Sequence, residues 1–104
     1  MDKSHAVECV KKFAERVRGM MDVQQVILFG SYAHGTPHEY SDIDVAVVAS
    51  YPASEWHKTA TALFRLRRDI DLSIEPILLD PAHDRSGFLE EIRRTGEIIY
   101  SRDA

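Results

Sequence analysis

The chain has one cysteine, Cys9, so an internal disulfide is excluded. Glycine and proline are also scarce, at 5 and 4 of 104 residues. That is too few for a Gly/Ser-rich or Pro-rich linker, and residues 1–104 are expected to form one domain. No apolar run approaches the length of a membrane span. The first residues lack the apolar stretch of a signal peptide, so a reducing cytoplasm is the expected location. Excess positive charge is missing as well. Lys and Arg number 13 against 17 Asp and Glu, a formal net charge of −4. A general nucleic-acid binder replaces phosphate counterions with a basic surface, so that class is disfavoured. Arg65, Arg67 and Arg68, and separately Arg93 and Arg94, are local basic groups that read as solvated helix faces. His5, His38, His57 and His83 show no spacing that suggests a metal site.

What is present is the balance of an ordinary globular protein, 44% hydrophobic and 29% charged. Val7, Val10, Phe13, Ala14, Val17 and Met21 recur at steps of three and four, which predicts a helix over 6–21 with Cys9 as a small buried hydrophobe. Residues 24–29 form a short apolar run that stops at Gly30, as expected of a strand buried on both faces. A short helical turn over 31–35 would be ended by Pro37. Residues 42–48 predict a second strand. Ser54 is a candidate N-cap for a helix over 55–68, with Trp56, Ala60, Leu63, Phe64 and Arg67 along one stripe. Residues 70–75 alternate and predict a third strand, which ends at Pro76 or has a free edge there. A last helix over 86–95, closed by Gly96, precedes a possible strand over 97–100. This order predicts an α/β (α+β) fold, a small mixed sheet with helices mainly on one face.

Side chains two apart on a strand share a face. Asp42 and Asp44 therefore point together, while Ile43, Val45 and Val47 point to the core. On the third predicted strand, Asp71, Ser73 and Glu75 share the polar side. Joining the two strands in one sheet collects carboxylates on one surface. Such a cluster repels itself and calls for a cation, and hard oxygen ligands suit Mg²⁺. Two such ions, about 3.5–4 Å apart, can hold the attacking and leaving oxygens of a phosphoryl displacement. Gly30 and Ser31 stand where a strand turns into a helical segment. There the backbone can approach a phosphate without a Cβ in the way, and the Ser31 hydroxyl can add a hydrogen bond.

Gly30-Ser31, ten intervening residues, then Asp42-Ile43-Asp44 resembles the signature of the DNA polymerase β-like nucleotidyltransferase superfamily. Leu28-Phe29-Gly30-Ser31-Tyr32-Ala33-His34-Gly35 looks like its minimal nucleotidyltransferases, which are often antitoxin partners of HEPN-domain proteins. Arg67-Arg68-Asp69-Ile70-Asp71-Leu72 is similar to the strand that supplies the third catalytic carboxylate. The resemblance implies the nucleotidyltransferase fold and AMP transfer from ATP to a hydroxyl on a HEPN toxin. It implies that Asp42 and Asp44 hold Mg²⁺, two ions in all, and that Asp71 completes the metal site and activates the acceptor. Glu75 is the alternative third carboxylate. Gly30 and Ser31 would cradle the triphosphate. The chain departs from its look-alikes at His34, where they often carry arginine; a histidine meets phosphate as a cation only when protonated. Other readings of the same chain are a module that masks its partner by binding alone, and a transferase acting on a small molecule.

Overall fold

The computed structural model describes residues 2–35, 42–84 and 86–103. Pro37 and His38 lie outside the described residues. Helix α1 spans Lys3–Met20. It starts at Asp2, whose carboxylate accepts from the His5 N–H at 2.9 Å and satisfies one of the free donors of the first turn. Its buried stripe is Ala6, Cys9, Val10, Phe13, Ala14 and Val17, while the expected Val7 and Met21 are only partly buried against the core. Strand β1, Gln25–Phe29, follows, then the short helix α2, Ser31–His34. Strand β2 is Ile43–Val48, helix α3 is Trp56–Leu66, and strand β3 is Ile74–Leu79. Helix α4, Phe88–Thr95, leads into β4, Glu97–Ser101.

The sheet order is β3-β2-β1-β4. β1 pairs antiparallel with β2 and β4, and β2 pairs parallel with β3. The mixed sheet is the one expected. On one face, Val26, Leu28, Ile43, Val45, Val47 and Ile74 meet the apolar stripe of α1, Leu63 of α3 and Tyr32 of α2. On the other face, Ile27, Ala46 and Val48 meet Leu89 and Ile92 of α4. Most helices thus share one face, and α4 covers the middle of the second. Burying a side chain such as Phe13 or Ile43 completely contributes roughly 1.5–3 kcal/mol, so these two clusters dominate the stability.

The third strand departs from its expected place. It runs over 74–79, not 70–75, and residues 67–73 form a turn. Local bonds explain the shift. The N–H groups of Ile70 and Asp71 both bond to the Arg67 carbonyl, and the Ile74 N–H bonds to the Asp71 carbonyl. The Asp71 carboxylate accepts from the Ser73 N–H at 2.8 Å. An aspartate that satisfies its own turn in this way competes with strand pairing. Pro76 lies inside β3 opposite Val45, and the strand tolerates it because β3 is an edge with one unpaired side. Ser54 is not the cap of α3 either. It sits in a 3₁₀ turn over Ala53–Glu55, and Glu55 precedes the helix without a side-chain cap bond. Of the stripe expected on α3 only Leu63 is buried; Trp56 and Phe64 are exposed.

Candidate active site

The site begins where β1 ends. Gly30 has φ 76 and ψ −154, a combination that glycine alone adopts readily. A Cβ built there would collide with the Asp44 carboxylate. Glycine is therefore required twice, by the backbone and by the approach of Asp44. Ser31 follows at the first position of α2 and is half-buried. Gly35, at φ 73, closes α2 by donating to the Ser31 and Tyr32 carbonyls. His34 is exposed and close enough to Glu91 to help lower its pKa, behind the larger effect of Arg94.

The antiparallel register places Phe29 opposite Asp44, and the parallel register places Asp44 opposite Glu75. Phe29, Asp44 and Glu75 thus form a row across three strands, on the face that α4 half covers. Asp42 precedes β2 by one residue and is exposed. Burial pushes the Asp44 carboxyl above the usual carboxylate range, and the charges of Asp42 and Glu75 push it the same way. Asp42 and Glu75 thus both act on Asp44, as the alternation along β2 predicts for Asp42. Phe88 stands edge-on to Phe29, with ring centroids 6.0 Å apart, and gives the row an apolar flank.

Glu75 is held from the edge of the sheet. One Arg67 nitrogen donates to the carbonyls of Leu72 and Ile74, both at 2.9 Å, and lies 3.5 Å from a Glu75 carboxylate oxygen. The guanidinium also stacks over Phe64, 4.8 Å from the ring centre. Arg67 thereby ties the end of α3 to the start of β3.

Asp71 is not brought to this row. It sits in the turn before β3 and faces α1, with its carboxylate 3.7 Å from His5 Nε2. Burial would raise its pKa, but the hydrogen bonds from Ser73 and the His5 contact outweigh that and bring it below the usual value. The Asp-Ile-Asp pattern at 69–71 reads as a strand when taken alone. The signal that favours Glu75 is Pro76, which marks an edge strand continuing past it rather than a strand ending there.

Comparisons with known proteins bear on the family and the fold. Residues 10–104 match the family described as polymerase beta, nucleotidyltransferase. The chain is 36% identical over 111 residues to the candidate protein adenylyltransferase MJ1305 of Methanocaldococcus jannaschii, across 92% of this chain and 67% of that protein. It superposes with a TM-score of 0.61, at 26% identity, on a chain of a toxin–antitoxin complex crystallised with AMP-PNP, over 86% of this chain and 71% of that one. A chain from the complex of tri-AMPylated Shewanella oneidensis HEPN toxin with its MNT antitoxin shares the fold, with a TM-score of 0.62 at 20% identity over 94% and 74% of the two chains. With the glycine turn and the carboxylate row in place, and a match running over nearly its whole length, the chain belongs to the polymerase beta nucleotidyltransferase family.

Proposed function

We propose that this protein is a Mg²⁺-dependent protein adenylyltransferase that moves AMP from ATP to a hydroxyl of a HEPN-type toxin, and so serves as its antitoxin. The observation that carries this reading is the pairing of Asp44 with Glu75, with Asp42 close enough to act on Asp44, beside the Gly30 turn. The relatives support the same reaction. One is a candidate protein adenylyltransferase, one fold neighbour comes from a toxin–antitoxin complex with AMP-PNP, and another from a complex whose HEPN toxin is AMPylated. The cytoplasm, which supplies ATP and keeps a lone thiol such as Cys9 reduced, suits the reaction.

The carboxylates fit the cation. They are hard oxygen donors, and a divalent ion would favour the charged form of Asp44, which burial first and then the charges of Asp42 and Glu75 disfavour. Mg²⁺ would supply charge neutralisation for the triphosphate and the leaving pyrophosphate. Asp42 and Asp44 would hold it. Glu75 takes the role that the sequence pattern offers to Asp71, because Glu75 is the register partner of Asp44 and Asp71 faces the other side of the sheet. Gly30 lets the Asp44 carboxylate lie against the backbone turn, and the turn with the Ser31 hydroxyl would hold the triphosphate beside it. The acceptor hydroxyl oxygen attacks the α-phosphorus. A new P–O bond forms, the bond to the β-phosphate bridge breaks, and pyrophosphate leaves. Glu75 accepts the hydroxyl proton. Positioning and charge neutralisation do most of the work.

A tyrosine near the toxin's RNA-cutting site is the expected acceptor, since an adenylyl group there adds bulk and negative charge against RNA. The acidic balance of the chain, −4 overall, helps it meet a basic partner. The test is to mix the protein with ATP, Mg²⁺ and the product of the neighbouring gene, then weigh that product intact. A gain of one or more AMP that vanishes with Asp44→Asn is the expected result. Inhibition of the partner with no mass gain would replace this reading with masking by binding alone.

A further inference from the structure

The reaction above uses neither His5 nor Cys9. The two lie four residues apart on α1, so one helical turn stacks them on the same side. Cys9 Sγ is 3.4 Å from His5 Nε2, and that nitrogen is 3.7 Å from Asp71 Oδ2. All three ligand atoms lie within 4.8 Å of one another. We propose that His5, Cys9 and Asp71 form a second metal site, for a borderline divalent ion of the Zn²⁺ class, on the opposite side of the sheet from the carboxylate row.

The donor set makes the choice of ion. Imidazole nitrogen, thiolate sulfur and one carboxylate oxygen select Zn²⁺ or Co²⁺ over Mg²⁺, which prefers oxygen alone. The spacing agrees. Metal–ligand bonds of about 2.0–2.3 Å at tetrahedral angles put neighbouring ligand atoms roughly 3.4–3.6 Å apart. The Cys9–His5 side, at 3.4 Å, already has that length, and the His5–Asp71 side, at 3.7 Å, is slightly longer. The third, from Cys9 to Asp71, is at most 4.8 Å and would shorten by up to about 1.2 Å on binding an ion. Asp71 is also oriented for the task. Its Oδ1 is engaged by the Ser73 N–H at 2.8 Å, which leaves Oδ2 turned to His5. Ligating carboxylates are commonly fixed in this way by an outer hydrogen bond. Cys9 is only 6% exposed, which shelters the sulfur, while the His5 side chain is 56% exposed and provides the entry path. Three protein ligands leave a fourth position for water. Bound there, the ion would pin the first turns of α1 to the turn between α3 and β3, parts of the chain far apart in sequence.

Titration of the whole protein with Co²⁺ tests this directly. The expected result is one ion bound with a thiolate-to-metal charge-transfer band and the strong visible absorption of a four-coordinate site, displaced by Zn²⁺. His5→Ala and Cys9→Ala should each remove the band and weaken Co²⁺ binding at least about 10-fold. Asp44→Asn should keep it, since a cation on the carboxylate row has no sulfur ligand. In the Asp44→Asn background Zn²⁺ should raise the Tm, and adding His5→Ala should remove that rise. His5 is largely exposed, so that variant remains informative even where Cys9→Ala perturbs the core. Absence of a charge-transfer band, or a band that survives His5→Ala, would overturn the proposal. Neither outcome touches AMP transfer, which is scored by partner mass.

Discussion

Asp44 and Glu75 are register partners on adjacent parallel strands, and the Glu75 charge adds to burial and to Asp42 in raising the Asp44 pKa. A folded protein keeps such a pair against its own stability when a cation or substrate resolves the repulsion.

Asp44→Asn should abolish transfer, by on the order of 10²-fold or more, yet raise the Tm of the metal-free protein. The folded Asp44 pKa lies above its ordinary value of 3.8, with burial the largest cause and Asp42 and Glu75 next. A raised carboxyl pKa contributes stability that is complete below the unfolded pKa and lost as pH rises through the folded one. In chelator, wild type and variant should therefore melt alike at pH near 3.8 and diverge toward neutrality, the variant being the more stable. A variant that melts lower at neutral pH would make Asp44 a structural residue.

Glu75→Gln and Asp71→Asn separate the two candidates for the third carboxylate. Glu75→Gln should cut transfer on the order of 10²-fold, because it removes a charge from the row. Asp71→Asn should leave the rate within a few-fold and instead weaken the contact with His5 on α1. Intact-mass time courses on both variants decide it, and a larger loss from Asp71→Asn would return that role to Asp71.

Gly30→Ala and Gly35→Ala share a positive φ but differ in surroundings. At Gly35 the added methyl meets no atom of the described residues within 4 Å, so the expected cost is that of the left-handed backbone, about 1–2 kcal/mol. At Gly30 the backbone lies in a region nearly exclusive to glycine, and the methyl also displaces the Asp44 carboxylate. Denaturant melts should show the larger loss, roughly 3 kcal/mol, at Gly30, with transfer lost as well. Equal losses would mean that the approach of Asp44 carries no weight.

Arg67→Ala should destabilise by about 1–3 kcal/mol through the freed carbonyls of Leu72 and Ile74, and lower transfer through a misplaced Glu75. Arg67→Lys keeps the charge but loses the planar fork, so it should restore only part of both. Paired melting and rate measurements check this, with full rescue by lysine showing that charge alone suffices.

Local patterning made α1, β1 and β2 legible, because each buries a regular set of apolar residues and its period survives in one dimension. The same holds for Gly30, Ser31, Asp42 and Asp44, which lie on or beside those elements. The third strand was harder to read. Residues 70–75 alternate as well as a strand does, but the Asp71 side chain and the Arg67 carbonyl capture the backbone groups that a ladder needs. The proximity of His5 and Cys9 to a carboxylate was not legible, because the two share one turn of α1 while that carboxylate comes from a distant turn. Their third companion, Asp71, lies across the molecule in sequence.

The sequence by itself determined the fold class and two of the carboxylates, since face and period depend only on neighbours along the chain. Only the tertiary structure decided which acid joins Asp44. That choice rests on the register between β2 and β3, and the register is set by Arg67, by the Asp71 turn and by the packing of Ile74 against Ile43. Strand pairing joins residues across a crossover, and a shift of one position would turn Glu75 to the other face.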